Sequence, residues 1–316
     1  MNVAVIGAGI AGLTAARQLQ RQGIKVTVFD KSKGTGGRLA SRSLADGWID
    51  HGAPYFSVDQ QEFDQFLKSI VPELNLSRWS PIIKGALRDD EKVHYVGVPR
   101  NSAVTRSLLG SLEFQPSTRI ARLRKSTEGW QLYNDGDSLL GCWEIIVVAV
   151  PAPQALALFG EQKKFASEIR QARMEPCWVT AVQAKEALKS LADITLDPHP
   201  AIRRITLNSA KKGRNNHHVY LIQAAKDWSE RHLEASPDAV GQLLLDIFFS
   251  FIPQQIECKV LLTHRWRYAF TEKAVGRPYL WDKKLKLGAC GDWCLGRRVE
   301  DAWQSGMALA RAILES

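Results

Sequence analysis

Cysteine and long apolar runs are what this chain has least of. Five cysteines among 316 residues is an odd and scattered set. That excludes a disulfide framework as the basis of the fold and points to free thiols in a reducing compartment, so the expected location is the cytoplasm. Cys290 and Cys294 lie close together, but no matching ligand pair answers them elsewhere, and no metal site is expected. No apolar stretch approaches the roughly 20 residues that a membrane helix needs, so no membrane partner is expected. Ala4 to Ala16 is apolar enough to imitate a signal-peptide core, yet it lacks a basic lead. Internal repeats, low-complexity linkers and nucleic-acid modules are also missing. The net charge of +9 therefore has no evident polyanionic partner, and no nucleic acid is expected. Neither a Ser-His-Asp order nor a hydrolase-like carboxylate pair emerges.

What is present begins at once. Val3 to Ile6 reads as a strand, Gly7-Ala8-Gly9-Ile10-Ala11-Gly12 as a tight turn opening a helix, and Lys25 to Phe29 as a second strand ending at Asp30. Gly7 permits the turn, Gly9 lets a pyrophosphate approach the backbone, and Gly12 lets the helix pack closely. The helix N-terminus faces the phosphate charge, and Asp30 is placed to accept from ribose hydroxyls. A second glycine-rich turn follows directly, Gly34-Thr35-Gly36-Gly37-Arg38. A nicotinamide dehydrogenase has no need of one there. Extended FAD does, because its pyrophosphate and ribityl chain pass both turns; Gly36 and Gly37 allow close approach, and Arg38 offers a fork to phosphate or to a nearby carboxylate.

The length suggests two domains, and the composition, 45% hydrophobic and 24% charged, is that of a globular protein. Strands are expected at Arg119–Leu123, Trp130–Tyr133, Trp143–Val150, Cys177–Gln183, His218–Gln223 and Lys259–Trp266. Helices are expected at Gln60–Ile70, Ser102–Leu109, Pro237–Phe251 and Val299–Leu314. Pro151 and Pro153 stop the Trp143–Val150 strand and open a crossover. The expected fold is α/β: an FAD-binding Rossmann-like domain (1–57, 95–154 and 285–316) interleaved with a smaller α+β substrate domain (58–94 and 155–284). The one basic concentration is Arg203-Arg204 with Lys211-Lys212-Gly213-Arg214, ending Asn215-Asn216-His217-His218. It fits a solvated hairpin turn or an electrostatic lip for a phosphorylated substrate, and charge alone leaves both open.

Near the C-terminus, a strand ending in Gly291-Asp292 places a carboxylate near ribityl hydroxyls. The helix starting near Arg298-Val299 aims its positive end at the flavin pyrimidine, which favours hydride acceptance. Trp293 either walls the flavin or packs. In the strand after Val260, alternation puts His264, Trp266 and Tyr268 on one face and Arg265 and Arg267 on the other. That face would offer an imidazole and two rings to a planar heterocycle. His51 is the weaker candidate, and a structural role for His264 stays open.

The segments Phe29 to Arg38, Asp50 to Phe56, Ala149 to Gln154, His264 to Ala269, Cys290 to Cys294 and Arg298 to Trp303 resemble the renalases, within the flavin amine oxidase superfamily. Phe270 to Leu287 and Ile202 to His218 depart from that pattern. The resemblance implies a p-hydroxybenzoate hydroxylase/amine oxidase-like topology and non-covalent FAD. It implies a cofactor site of Gly7, Gly9, Ile10, Ala11 and Gly12, then Asp30, Lys31, Gly36, Gly37 and Arg38, with Gly52, Ala53, Ile120, Gly291, Asp292 and Val299. The implied substrate is an isomeric (2- or 6-) dihydronicotinamide dinucleotide, oxidised to NAD(P)+ with molecular oxygen as acceptor, giving hydrogen peroxide. His264, Trp266 and Tyr268 would hold it. Alternatives are an amine oxidase, a carotenoid or porphyrinogen desaturase of the same superfamily, or a non-catalytic FAD- or nucleotide-binding protein. The oligomeric state is not legible.

Overall fold

The structure is a computed structural model that describes residues 1–45, 47–85, 93–160, 162–214, 217–252 and 256–316. Its first six-stranded sheet is ordered Leu280–Asp282, Leu287–Ala289, Ile145–Val148, Asn2–Ile6, Lys25–Phe29, Glu113–Gln115. All neighbours run parallel except the Leu280–Asp282 edge. Parallel strands buried on both faces need continuous apolar runs, which Val3–Ile6 and Ile145–Val148 supply, none of them more than 5% exposed. Helices Ile10–Arg21 and Val299–Leu314 cover one face, with Leu13, Leu19, Leu309 and Ile313 in one core. They approach so closely that a Cβ on Gly306 would lie 2.3 Å from the Ala11 carbonyl oxygen. The other face is covered by a three-stranded sheet over residues 120–143 and by helices Ala152–Leu158 and Lys163–Ile169.

The second six-stranded sheet is ordered Cys258–Lys273, Arg173–Ala184, Val219–Ala224, Ile202–Leu207, Ile194–Thr195, Ile83–Lys84. Helix Pro237–Phe249 buries Leu244 and Phe248 against Trp178, Val182, Tyr220 and Ile222 on one face. The sequence supports that helix locally: Ser236 caps it by accepting from the Ala239 N–H, and Pro237 occupies its first turn. The opposite face carries Ala181, Val219 and Leu221, which pack against Ile49 at the end of the Gly47–Ile49 strand. That contact brings the second sheet over the Asp50–Phe56 segment.

Four expectations need correction. Pro153 does not merely end a strand; it sits in the first turn of the Ala152–Leu158 helix, where its missing N–H costs nothing. Trp143–Val150 is not one strand: Trp143 ends the three-stranded sheet, and Ile145 starts the central one. The strand expected to end at Trp266 runs on to Lys273. Two segments assigned to the substrate domain also pack with the first sheet. Helix Gln61–Ile70 inserts Phe63 and Leu67 beside Trp303, and Leu280–Asp282 forms the sheet edge.

Candidate functional site

The site starts at the turn after the first strand. Gly7 has φ +113°, and a Cβ there would lie 2.4 Å from the Ala149 carbonyl oxygen. A Cβ on Gly12 would lie 2.0 Å from the Gly7 oxygen, so this turn accepts no larger residue at either place. Gly9 differs: the nearest atom to its hypothetical Cβ is the Gly37 Cα at 3.9 Å. The second turn has folded against the first, with the Gly36 N–H donating to the Ala8 oxygen at 3.0 Å and Gly37 at φ +51°. Between them opens the N-terminus of the Ile10–Arg21 helix, which has no side-chain cap and no acid in its first turn. Ile10 and Ala11 thus present backbone N–H groups to a cradle that a side chain at Gly9 would enter. That arrangement fits a pyrophosphate.

Asp30 stabilises this cradle from behind. Its carboxylate accepts from the Ala8 N–H at 2.7 Å and the Ser32 N–H at 2.8 Å, while each oxygen keeps a lone pair for a ribose hydroxyl. Asp30→Ala is expected to cost about 1–3 kcal/mol of turn stability and to weaken flavin retention. Gel filtration of the yellow protein checks this, and full retention of colour would contradict it. Lys31 is exposed, and Ile120 is buried at the start of its strand, just past the Thr118 N–H that donates to the Asp30 oxygen at 2.8 Å.

Arg38 takes the carboxylate of the two partners its position offered. Its guanidinium donates to both oxygens of Asp292, at 2.6 and 2.5 Å, and the Thr271 hydroxyl adds a 3.1 Å bond to the same carboxylate. This fork ties the second glycine turn to the C-terminal block. The Arg38 oxygen accepts from the Ala53 N–H at 2.7 Å, and a Cβ on Gly52 would lie 2.2 Å from it. Gly52 and Ala53 are therefore threaded against the same turn. The Gly291 N–H donates to Ser305 Oγ at 2.9 Å. Val299 opens the last helix behind an Arg298 cap, and Glu300 accepts from the Asp59 and Gln60 N–H groups. Trp293 packs: it is fully buried, with its indole N–H on the Val150 oxygen at 3.0 Å.

Lys211 and Arg214 belong neither to a solvated hairpin nor to a lip. Lys211 and Arg214 have no exposed side-chain surface and both close on Asp50 Oδ2, Lys211 Nζ at 2.6 Å. Arg214 also donates to the Gly97 oxygen at 2.7 Å and Asn101 Oδ1 at 3.0 Å. Asp50 Oδ1 accepts from Ser41 Oγ at 2.7 Å and the Asn101 N–H at 3.0 Å. Burial alone would raise the Asp50 carboxyl, but the Lys211 and Arg214 charges override it and hold it at about 2. Neutralising Lys211 or Arg214 therefore reports on folding, not on substrate capture. Lys212 alone of the three faces solvent, and Asn215 and Asn216 lie outside the described residues.

Next to Asp50 in sequence, His51 meets the second sheet. Its ring lies 4.9 Å from that of His264, edge to face, and stacks on Trp266 at 5.4 Å. His264 and Trp266 are 4.6 Å apart, and the Trp266 indole donates to the His51 oxygen at 2.8 Å. Among the described residues, His51 Nδ1 is buried without a hydrogen-bond partner. Burial, then the charges of His264 and Arg42, pushes the His51 imidazole down to about 4. Burial, then the charges of Arg42 and Lys31, lowers that of His264. Both are neutral bases near pH 7. Tyr268 lies within a bulge of the same strand: Trp266 pairs with Cys177 and Phe270 with Glu175, so Arg267, Tyr268 and Ala269 stand opposite Pro176 alone, and simple alternation does not set its face there. Sequence reading ranked His51 too low, because its partners lie over 200 residues away.

Comparison with known proteins bears on the fold and its relatives. Residues 5–70 match the model of an NAD(P)-binding Rossmann-like domain. Renalase of Mus musculus is 21% identical over 303 residues, 88% of this chain and 87% of the mouse protein. The chain is similar to renalase over most of its length. An L-amino-acid oxidase of Siganus canaliculatus is 40% identical over 76 residues, 23% of this chain and 14% of that protein. In overall fold the chain also matches a CLA-producing fatty acid isomerase from P. acnes. That TM-score is 0.72 at 13% identity, covering 98% of each chain. Among the described residues no helix is long and apolar enough to cross a membrane.

Proposed function

We propose that the chain is an FAD-dependent oxidase that converts isomeric (2- or 6-) dihydronicotinamide dinucleotides to NAD(P)+, with molecular oxygen as acceptor and hydrogen peroxide as product. The observation that carries this reading is the neutral His51–His264–Trp266 cluster, set beside the flavin-wrapping segment in a chain similar to renalase over nearly its full length. Residues 1–57, 95–154 and 285–316 would hold the cofactor, with helix Gln61–Ile70 and strand Leu280–Asp282 packed onto them. The antiparallel sheet would carry the substrate. Gly7, Gly9, Ile10, Ala11, Gly12, Gly36 and Gly37 would cradle the pyrophosphate, and Asp30 would hold a ribose. The Arg38–Asp292 pair would lie beside the ribityl chain.

FAD, when bound, would supply the hydride acceptor and the route for electrons to oxygen. The protein's own share is positioning. Loss of hydride from a dihydropyridine restores aromaticity and leaves no proton to abstract, so the site needs no general base. Two imidazoles kept neutral by burial suit that requirement. His264 would hydrogen-bond the carboxamide, and Trp266 would bound the ring. The resemblance to renalase places no histidine or cysteine as a flavin attachment point, which supports non-covalent binding: acid precipitation should release all the yellow colour, and colour left in the pellet would contradict it. In aerobic turnover, peroxide and NAD+ should form one to one from the isomeric dihydronicotinamides. Peroxide formed from putrescine instead would favour the amine oxidase reading.

A further inference from the structure

The register of the second sheet aligns four side chains across four strands. Arg204 faces Gln223, Gln223 faces Val179, and Val179 faces His264. The neighbouring row, two residues along, is Thr206, Leu221, Ala181 and Leu262, the apolar part of which packs against Ile49. The Arg204 row therefore belongs to the sheet face turned toward the flavin-wrapping segment. Arg204 confirms this by placing its guanidinium 5.3 Å from the ring of Tyr55 in that segment.

The charges around Arg204 do not balance. Glu175 is buried, and its Oε1 already takes Arg203 at 2.8 Å and Arg297 at 3.0 Å. Both of those guanidinium groups also lie over Phe270, at 4.2 and 5.3 Å. Cys177 contributes no anion, because burial pushes its thiol up to about 12. Arg204 makes no ion pair among the described residues, its Nε is buried without a partner, and so is the hydroxyl of Thr206 in the next row. Burial first, and then the charges of Arg203 and Arg297, lower its pKa. Three guanidinium groups thus share one carboxylate, and the one facing the flavin-wrapping segment is unpaired. Arg204 as a whole is only half-buried, so an anion can reach its guanidinium and complete it.

We infer that Arg204 is a specificity-determining residue that binds an anionic group of the substrate while the reacting ring lies at His264. The two positions are three strand spacings apart, about 14 Å between backbones, a span that suits a nucleotide better than a small amine. This rests on the substrate class proposed above. The anion itself is a phosphate or a carboxylate, and both would meet the same fork.

The test has a binding arm and a kinetic arm, using yellow holoprotein, Arg204→Gln and Arg204→Lys. In calorimetry, inorganic pyrophosphate and phthalate are titrated separately. Pyrophosphate binding that weakens at least 10-fold in Arg204→Gln and is largely restored in Arg204→Lys supports a phosphate subsite; the same pattern with phthalate alone supports a carboxylate subsite. In the kinetic arm, the half-saturating concentration of the dihydronicotinamide dinucleotide should rise about 10- to 100-fold in Arg204→Gln, the loss of a charged hydrogen bond. That of the phosphate-free riboside should not move. Equal effects on both substrates, or no effect on either anion, would overturn the assignment even if turnover persists. Arg204-dependent anion binding without any dihydronicotinamide oxidation would overturn the proposed substrate and leave the anion site standing.

Discussion

Asp50→Ala is expected to destabilise the protein by about 3–5 kcal/mol, the cost of leaving buried cations without their counter-charge. Lys211 and Arg214 both lose their carboxylate inside a fully enclosed cluster, and the Asn101 N–H loses its acceptor. A loss of that size is a large share of the roughly 5–15 kcal/mol that holds a typical domain together. Because Lys211 also donates to the Pro54 oxygen at 3.2 Å and Asn101 to the Ala53 oxygen at 2.7 Å, the damage reaches the segment that carries His51, Gly52 and Ala53. Flavin should leave before the chain unfolds. Urea unfolding followed by tryptophan fluorescence checks the magnitude; a change under about 1 kcal/mol would mean that water reaches the cluster. Replacing all three charges together, with Asp50→Leu, Lys211→Met and Arg214→Met, should recover much of the loss.

The same residues set an acid limit in two steps. His51 is held at about 4 against an ordinary 6.5. Between those values the unfolded chain takes a proton that the folded chain refuses, so stability falls as pH drops from 6.5 toward 4. Asp50 is held at about 2 against 3.8. Its contribution is complete above 3.8 and is lost as pH falls through 2. Thermal melts from pH 7 to 3 should show a shallower first decline in His51→Phe than in the native protein, the remainder coming from His264.

His264→Ala is expected to keep flavin bound and to slow its reduction by about 10- to 100-fold, through the loss of one orienting hydrogen bond and looser ring placement. Since burial and nearby cations lower the imidazole's pKa from its ordinary 6.5, the native rate should be flat from pH 6.5 to 8.5. A rate that collapses on the acid side, with the mutant near zero throughout, would make His264 a general base. Full activity in the mutant would make it structural.

Much of this was readable from local pattern. The glycine turns, Asp30 and the flanking apolar runs describe a strand-turn-helix-strand unit because each requirement acts within a few residues. The strand period likewise paired His264 with Trp266. What escaped depends on distant partners. Lys211 and Arg214 look solvated until Asp50, 161 and 164 residues away, closes on them. Tyr268 falls in a bulge, where the period of two no longer sets a side chain's face. Pro153 read as a breaker, since proline both ends strands and begins helices, and only its neighbours decide which.

The most direct test of the account is anaerobic mixing of the yellow holoprotein with 2- and 6-dihydronicotinamide dinucleotides, ordinary NADH, and putrescine, following loss of flavin absorbance. Rapid bleaching by an isomeric dihydronicotinamide, with one equivalent of NAD+ formed per flavin and little reaction with the other two, is the predicted result. Bleaching by the amine or by NADH alone, or by none of them, would contradict it.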